Sequence, residues 1–172
     1  MTSQTKVRTY SESAKILANP SEVFDYIDDH SKFSSHMNTS SPMMGGGKMN
    51  TYIDELKGKA VGSHIKMDGK VFGIYISLDE VVTEHVPPHR KVWKTVGTPK
   101  LLIIGQYQMK VEIEPDGVGS RLTISIDYDL PKSFVWLGRL LSGWYAKWCV
   151  QQMLYGTQKY FIRTEGGEHH ET

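Results

Sequence analysis

One long helical pattern, from about Pro131 to Arg163, constrains this chain more than any other feature, because it follows roughly six strand-like segments with no other long helix to cover them. Phe134, Leu137, Leu141, Trp144, Trp148 and Tyr155 recur at three-, four- and seven-residue steps. That spacing predicts a helix about 45 Å long with one broad apolar and aromatic face. Such a face needs a partner, and the large partner in this sequence is the sheet that precedes it. A curved sheet closed by a single long helix leaves an enclosed apolar space. The order of elements therefore predicts a container.

Composition narrows the choice of partner. A chain of 172 residues, 39% hydrophobic and 23% charged, has enough apolar material for one real core. Twenty basic and 19 acidic side chains are interspersed and leave a formal net charge of +1, which gives no long-range field to recruit nucleic acid or an anionic membrane. The single cysteine, Cys149, excludes an intrachain disulfide and the usual zinc frameworks. The first thirty residues hold no apolar signal-like stretch, so the expected compartment is the cytoplasm. A single domain is expected over residues 6–164, with the polar run 165–172 as a flexible tail.

Thr9 to Ala18 reads as the first strand and stops at Asn19-Pro20-Ser21-Glu22. There Asn19 caps, Pro20 takes the first helical position and Glu22 completes a capping box. A short helix with Val23, Phe24 and Ile27 on its apolar edge should follow, then a second helical turn over Ser31 to Met37. Strands are expected at roughly 49–57, 60–67, 70–85, 90–97, 101–114 and 119–130. Turns are read at Asp68-Gly69, Val86-Pro87-Pro88-His89, Gly97-Thr98-Pro99-Lys100 and Asp116-Gly117. Connections this short make the strands antiparallel neighbours. Alternation puts Leu122, Ile124, Ile126 and Tyr128 on the inner face, with Tyr107, Met109, Val111 and Ile113 in the strand before and Val61, Ser63, Ile65 and Met67 earlier. In the long strand Phe72, Ile74, Ile76 and Leu78 hold one phase. Glu80 then falls on the apolar side, so a bulge that turns it to solvent is expected.

The opening Ile16-Leu17-Ala18-Asn19-Pro20-Ser21-Glu22-Val23-Phe24, the middle Val82-Thr83-Glu84-His85-Val86-Pro87-Pro88-His89-Arg90 leading to Trp93, and the closing Pro-initiated helix together resemble the START/Bet v 1-like superfamily. The closest likeness is to its polyketide cyclase/dehydrase and lipid-transport group, over about Lys6 to Arg163. The resemblance implies an α+β helix-grip fold, in which a curved antiparallel sheet of about seven strands wraps around a long C-terminal helix, with two short helices after the first strand. It also implies a hydrophobic cavity that holds a lipid, polyketide or other apolar molecule. No catalytic motif of the superfamily is present to carry over.

Gly45-Gly46-Gly47-Lys48 is not a phosphate loop, since Pro42 stands where the first glycine belongs and Met49 where Ser or Thr must be. It reads as a plain connection, with Met43 and Met44 keeping open a lid over an apolar ligand. His85 and His89 are separated by Pro87-Pro88 and cannot share a helix face, His64 falls on the outward phase, and no metal or cofactor is expected. Among polar candidates, Glu80 would act as a general acid or base if it faced the cavity. Tyr107 and Tyr128 suit either packing or anchoring of a ligand. Gln152 lies in the apolar sector of the helix, where its amide needs a partner. Trp93, Trp148, Met109 and Ile124 complete the expected apolar lining.

The leading expectation is a non-catalytic binder of a small hydrophobic molecule. The alternative is a cyclase or dehydratase-like enzyme using Glu80 and a cavity tyrosine. A third reading, less favoured because the sheet competes for the same face, is a membrane-surface module built on Trp144, Trp148, Arg139 and Lys147.

Overall fold

A computed structural model describes residues 6–33 and 49–167. The glycine-rich connection with Met43 and Met44, and Met37, lie outside those residues. Strand β1 (Arg8–Ile16) leads into α1 (Pro20–Asp28) and α2 (His30–Phe33). Six strands follow: β2 (Met49–Ile53), β3 (His64–Val71), β4 (Ile74–Val86), β5 (Arg90–Lys100), β6 (Tyr107–Asp116) and β7 (Gly119–Tyr128). Helix α3 (Val135–Gly167) follows the sheet and extends three residues into the segment read as a tail. The strands form one antiparallel seven-stranded sheet in the order β1-β7-β6-β5-β4-β3-β2, so the meander is sealed by β1 returning to pair with β7. This is the helix-grip architecture.

The capping box at α1 forms as the sequence requires. The Asn19 side chain accepts from the Glu22 N–H at 3.1 Å, and the Glu22 carboxylate accepts from the Asn19 N–H at 3.0 Å. Val23, Phe24 and Ile27 are buried, and α1 and α2 cover one end of the sheet's concave face. In β7 every expected inward residue is buried, as are Met109, Val111 and Ile113 of β6.

Three boundaries differ from the sequence expectation. Asp68-Gly69 is not a turn but lies inside β3, paired with Ser77 and Ile76. The β3–β4 hairpin turns at Phe72-Gly73, with φ of 51° and 76°. This longer hairpin sets Met67 against Leu78 and Val71 against Ile74, whereas a turn at 68–69 would set Met67 against a lysine. The apolar match outweighs the roughly 1 kcal/mol cost of a left-handed phenylalanine. Gly97 to Lys100 likewise stays within β5, and the chain leaves the sheet only afterwards, so Leu101-Leu102-Ile103-Ile104 is a loop rather than a strand. Val61 belongs to the turn before β3 and is exposed, while Ser63, Ile65 and Met67 point inward.

The phase of α3 also differs. The face against the sheet is Gly138, Ser142, Ala146, Cys149, Val150, Met153, Leu154 and Thr157, while Phe134, Trp144 and Tyr155 are exposed and Trp148 is half-buried. Apolar residues surround this helix, so size rather than polarity selects the inner face. The sheet already presents Trp93, Met109, Ile124 and Ile126 inward, and small side chains at Gly138, Ser142, Ala146 and Cys149 let the helix close on it, with Val150, Met153 and Leu154 buried further along. Gly138 marks a tight approach to the flanking loops: a Cβ there would lie 2.4 Å from Pro131 Cδ and 3.0 Å from the Ile103 carbonyl oxygen. At Gly143 and Gly156 the nearest atom to such a Cβ is 3.9 Å away, so neither glycine marks a close approach to the sheet.

Candidate functional site

Between the sheet and the N-terminal half of α3 lies a cavity of about 330 Å³. Met67, Ile76, Leu78, Trp93, Met109 and Ile126 form its floor, Leu137, Leu141, Tyr145, Cys149 and Met153 its helical wall, and Leu101 to Ile104 with Phe72 its rim. The lining is apolar except for Glu80, His30 and the hydroxyl and thiol groups of Tyr107, Tyr145 and Cys149. That places it at the lower end of the size range for small-molecule pockets and gives it their usual composition.

Glu80 faces this cavity and is 2% exposed, contrary to the expectation that a bulge would turn it out. Irregularities do occur in the β4–β5 pairing, between Ser77 and Asp79 and between Val82 and Glu84. Neither changes the inward phase of Ile76, Leu78, Glu80 and Val82, all of which are buried. The carboxylate survives burial because Tyr107 donates its hydroxyl hydrogen to Oε1. The Tyr107 backbone is fixed in turn where β5–β6 pairing ends, since Thr95 Oγ1 accepts the Tyr107 N–H at 3.0 Å and donates to Gln106 Oε1 at 2.6 Å. Glu80 Oε2 is buried and has no hydrogen-bond partner among the described residues. His30, delivered by α2, brings Nε2 to 3.9 Å from that oxygen and stands edge-on to Trp93.

Burial pushes the Glu80 carboxyl up to about 7, with the hydrogen bond from Tyr107 pulling back against it. Near neutrality the group therefore exists in both forms. Burial and the neighbouring Glu80 charge raise Tyr107 well above the usual phenol range, so it remains a neutral donor. Burial also pushes the Cys149 thiol up to about 12, so it remains a neutral thiol.

Of the residues singled out in the sequence, Glu80, Tyr107, Trp93 and Met109 meet at the cavity. Tyr128 and Ile124 are buried in the adjoining core and do not line it. Gln152 and Trp148 are half-buried on flanks of α3 away from the lining, a consequence of the shifted helical phase. Trp148 stacks on Tyr145 instead, with ring centroids 6.0 Å apart. His30, Tyr145 and the Leu101–Ile104 loop were missed. The loop did carry a signal, four consecutive apolar residues without alternation, closed by Gly105. Lys91 was also missed, although it stands two residues from Trp93 and shares its face. It is 1% exposed and donates to Asp28 Oδ1 at 2.8 Å, and His85 Nε2 lies 2.9 Å from the same oxygen. Burial lowers the Lys91 pKa, and the bond to Asp28 opposes that shift.

An antiparallel sheet closed by one C-terminal helix, with an apolar cavity between them, defines the class of helix-grip proteins. Within that class, the family model described as polyketide cyclase / dehydrase and lipid transport matches residues 7–161, and the chain belongs to that family. No curated protein matches the sequence. Among solved structures, the Zhui aromatase/cyclase of a Streptomyces species is similar with a TM-score of 0.67 at 12% identity, covering 92% of this chain and 95% of that one. Norcoclaurine synthase from Thalictrum flavum is similar with a TM-score of 0.64 at 16% identity, covering 92% and 88%. Ara h 8.0201 is similar with a TM-score of 0.59 at 14% identity, covering 92% and 99%. At these identities the likeness establishes the fold.

Proposed function

We propose that the protein binds a small, largely apolar molecule in this cavity and orients it through one hydrogen-bond donor directed at Glu80. The observation that carries this reading is the buried Oε2 of Glu80, which accepts no hydrogen bond from a described residue and faces a largely apolar space. An unsatisfied buried acceptor costs roughly 1–3 kcal/mol, and a ligand hydroxyl or N–H recovers that cost on binding. Apolar burial supplies the rest of the affinity. Titration calorimetry with naphthalene and 2-naphthol, which differ by one donor, tests this directly. 2-Naphthol should bind about tenfold more tightly, and Leu141→Trp, which fills the cavity, should abolish both interactions. Equal affinities that survive Leu141→Trp would place binding elsewhere.

A second reading, acid–base chemistry on a polyketide-like substrate, is favoured by the Glu80 value of about 7. A group titrating near working pH both donates and accepts a proton efficiently. Under this reading Glu80→Gln removes turnover and leaves substrate binding intact.

A further inference from the structure

The rim of the cavity exposes large apolar side chains that no part of the described fold covers. On the outer face of α3, Trp136, Leu140 and Trp144 follow one another at four-residue steps and are 68%, 72% and 54% exposed. Leu140 and Trp144 each stand three residues after a cavity-lining residue, Leu137 and Leu141, so this stripe adjoins the cavity wall. Phe72, at the rim, is 65% exposed, and Ile74, Tyr75 and Phe134 are exposed around a neighbouring depression that also includes Lys100 and Lys132. Phe72 and Phe134 have positive φ, 51° and 58°. A left-handed phenylalanine costs about 1 kcal/mol, and an exposed ring recovers none of it from the core.

The charge around this rim is mostly positive. Between Asp129 and Glu165 the sequence has no acidic residue, while Lys132, Arg139 and Lys147 are exposed there, joined by Lys70 and Lys100 from the sheet. None of these five makes an ion pair with a described residue. Asp129, beside Gly105, lines the same depression as Lys100 and Lys132, and Asp68 accepts from Asn50 at 3.2 Å. Tryptophan, leucine and phenylalanine interleaved with unpaired lysine and arginine is the composition of a surface that enters the headgroup region of an anionic bilayer.

We infer that this end of the molecule docks on an anionic lipid surface, with Phe72, Phe134, Trp136, Leu140 and Trp144 inserted and the five basic residues on the headgroups. Three separate segments contribute to a rim around an apolar opening, and a bilayer accepts such a protruding surface without requiring a shaped groove. It also allows an apolar molecule to pass between lipid and cavity without crossing water.

Co-sedimentation of the full chain with vesicles tests the inference. It predicts binding to phosphatidylcholine vesicles containing about 30% phosphatidylglycerol, falling at least tenfold in pure phosphatidylcholine or high salt. The doubly substituted Trp136→Ser, Trp144→Ser protein should also bind about tenfold less, with unchanged 2-naphthol affinity as the check on its fold. Wild-type protein that stays in solution with anionic vesicles overturns the inference. So does binding that the double substitution leaves unaltered, or a dimer in solution that the double substitution dissolves, which would assign the face to a second copy.

Discussion

Replacing Glu80 by Gln should stabilise the protein, and by an amount set by pH. The buried carboxyl titrates at about 7 instead of its ordinary 4.5, chiefly through desolvation. Because the folded pKa lies above the unfolded one, the folded state holds its proton after the unfolded chain has lost it. The group's contribution is fully present below about pH 4.5 and is lost progressively as pH rises to about 7. At 1.36 kcal/mol per pKa unit the loss reaches about 3 kcal/mol. Glutamine has the same shape, keeps an oxygen to accept from Tyr107, and never ionises. At pH 5, where Glu80 is protonated in the folded state and already largely ionised in the unfolded chain, the substituted protein should lead by less than about 1 kcal/mol. At pH 8 the substituted protein should be the more stable by about 3 kcal/mol. Urea unfolding of both proteins at the two pH values measures the difference of differences, in which other titrating groups cancel. The same stability gap at pH 5 and pH 8 would refute the placement of Glu80 in a desolvated, partly unsatisfied position.

Tyr107→Phe removes the donor that pulls the Glu80 value down, so a carboxyl-carbon NMR titration should find Glu80 shifted further upward, with about 1 kcal/mol lost from stability in urea. Lys91→Met leaves Asp28 buried with His85 as its remaining ion-pair partner among the described residues and should cost about 3 kcal/mol in urea unfolding at pH 7, part of which Asp28→Asn in the same chain restores. Gly138→Ala drives a methyl group into Pro131 and should cost about 2 kcal/mol. Gly143→Ala meets nothing closer than 3.9 Å and should gain about 1 kcal/mol in the same assay.

Much of the fold was legible because local and long-range requirements agree. In β7 the alternation of Leu122, Ile124, Ile126 and Tyr128 with polar residues matches the observed burial, and Asn19 to Glu22 encode the start of α1 in one short motif. Where two signals competed, the sequence was ambiguous. Asp68-Gly69 has the better turn chemistry, but Phe72-Gly73 gives the better cross-strand match, and the match prevailed. On α3 the expected stripe reaches the cavity through Leu137 and Leu141, but its aromatic members give way to Gly138, Ala146 and Cys149, which fit a sheet already filled with large side chains. Steric fit of that kind depends on residues distant in sequence and leaves no local period. Glu80 was placed outside on the general cost of burying a charge, and that cost is met here by raising its pKa rather than by exposing it. The partner that holds it, Tyr107, was legible from its phase. His30 was not, because its position depends on how α2 crosses the sheet.

Native mass spectrometry, on the protein as purified and after incubation with 2-naphthol, tests the central claim most directly. A cavity that binds one small apolar molecule predicts either a retained molecule released by organic solvent or uptake of one 2-naphthol per chain, and neither in Leu141→Trp. A native mass equal to the denatured mass, with no uptake of 2-naphthol, would contradict it.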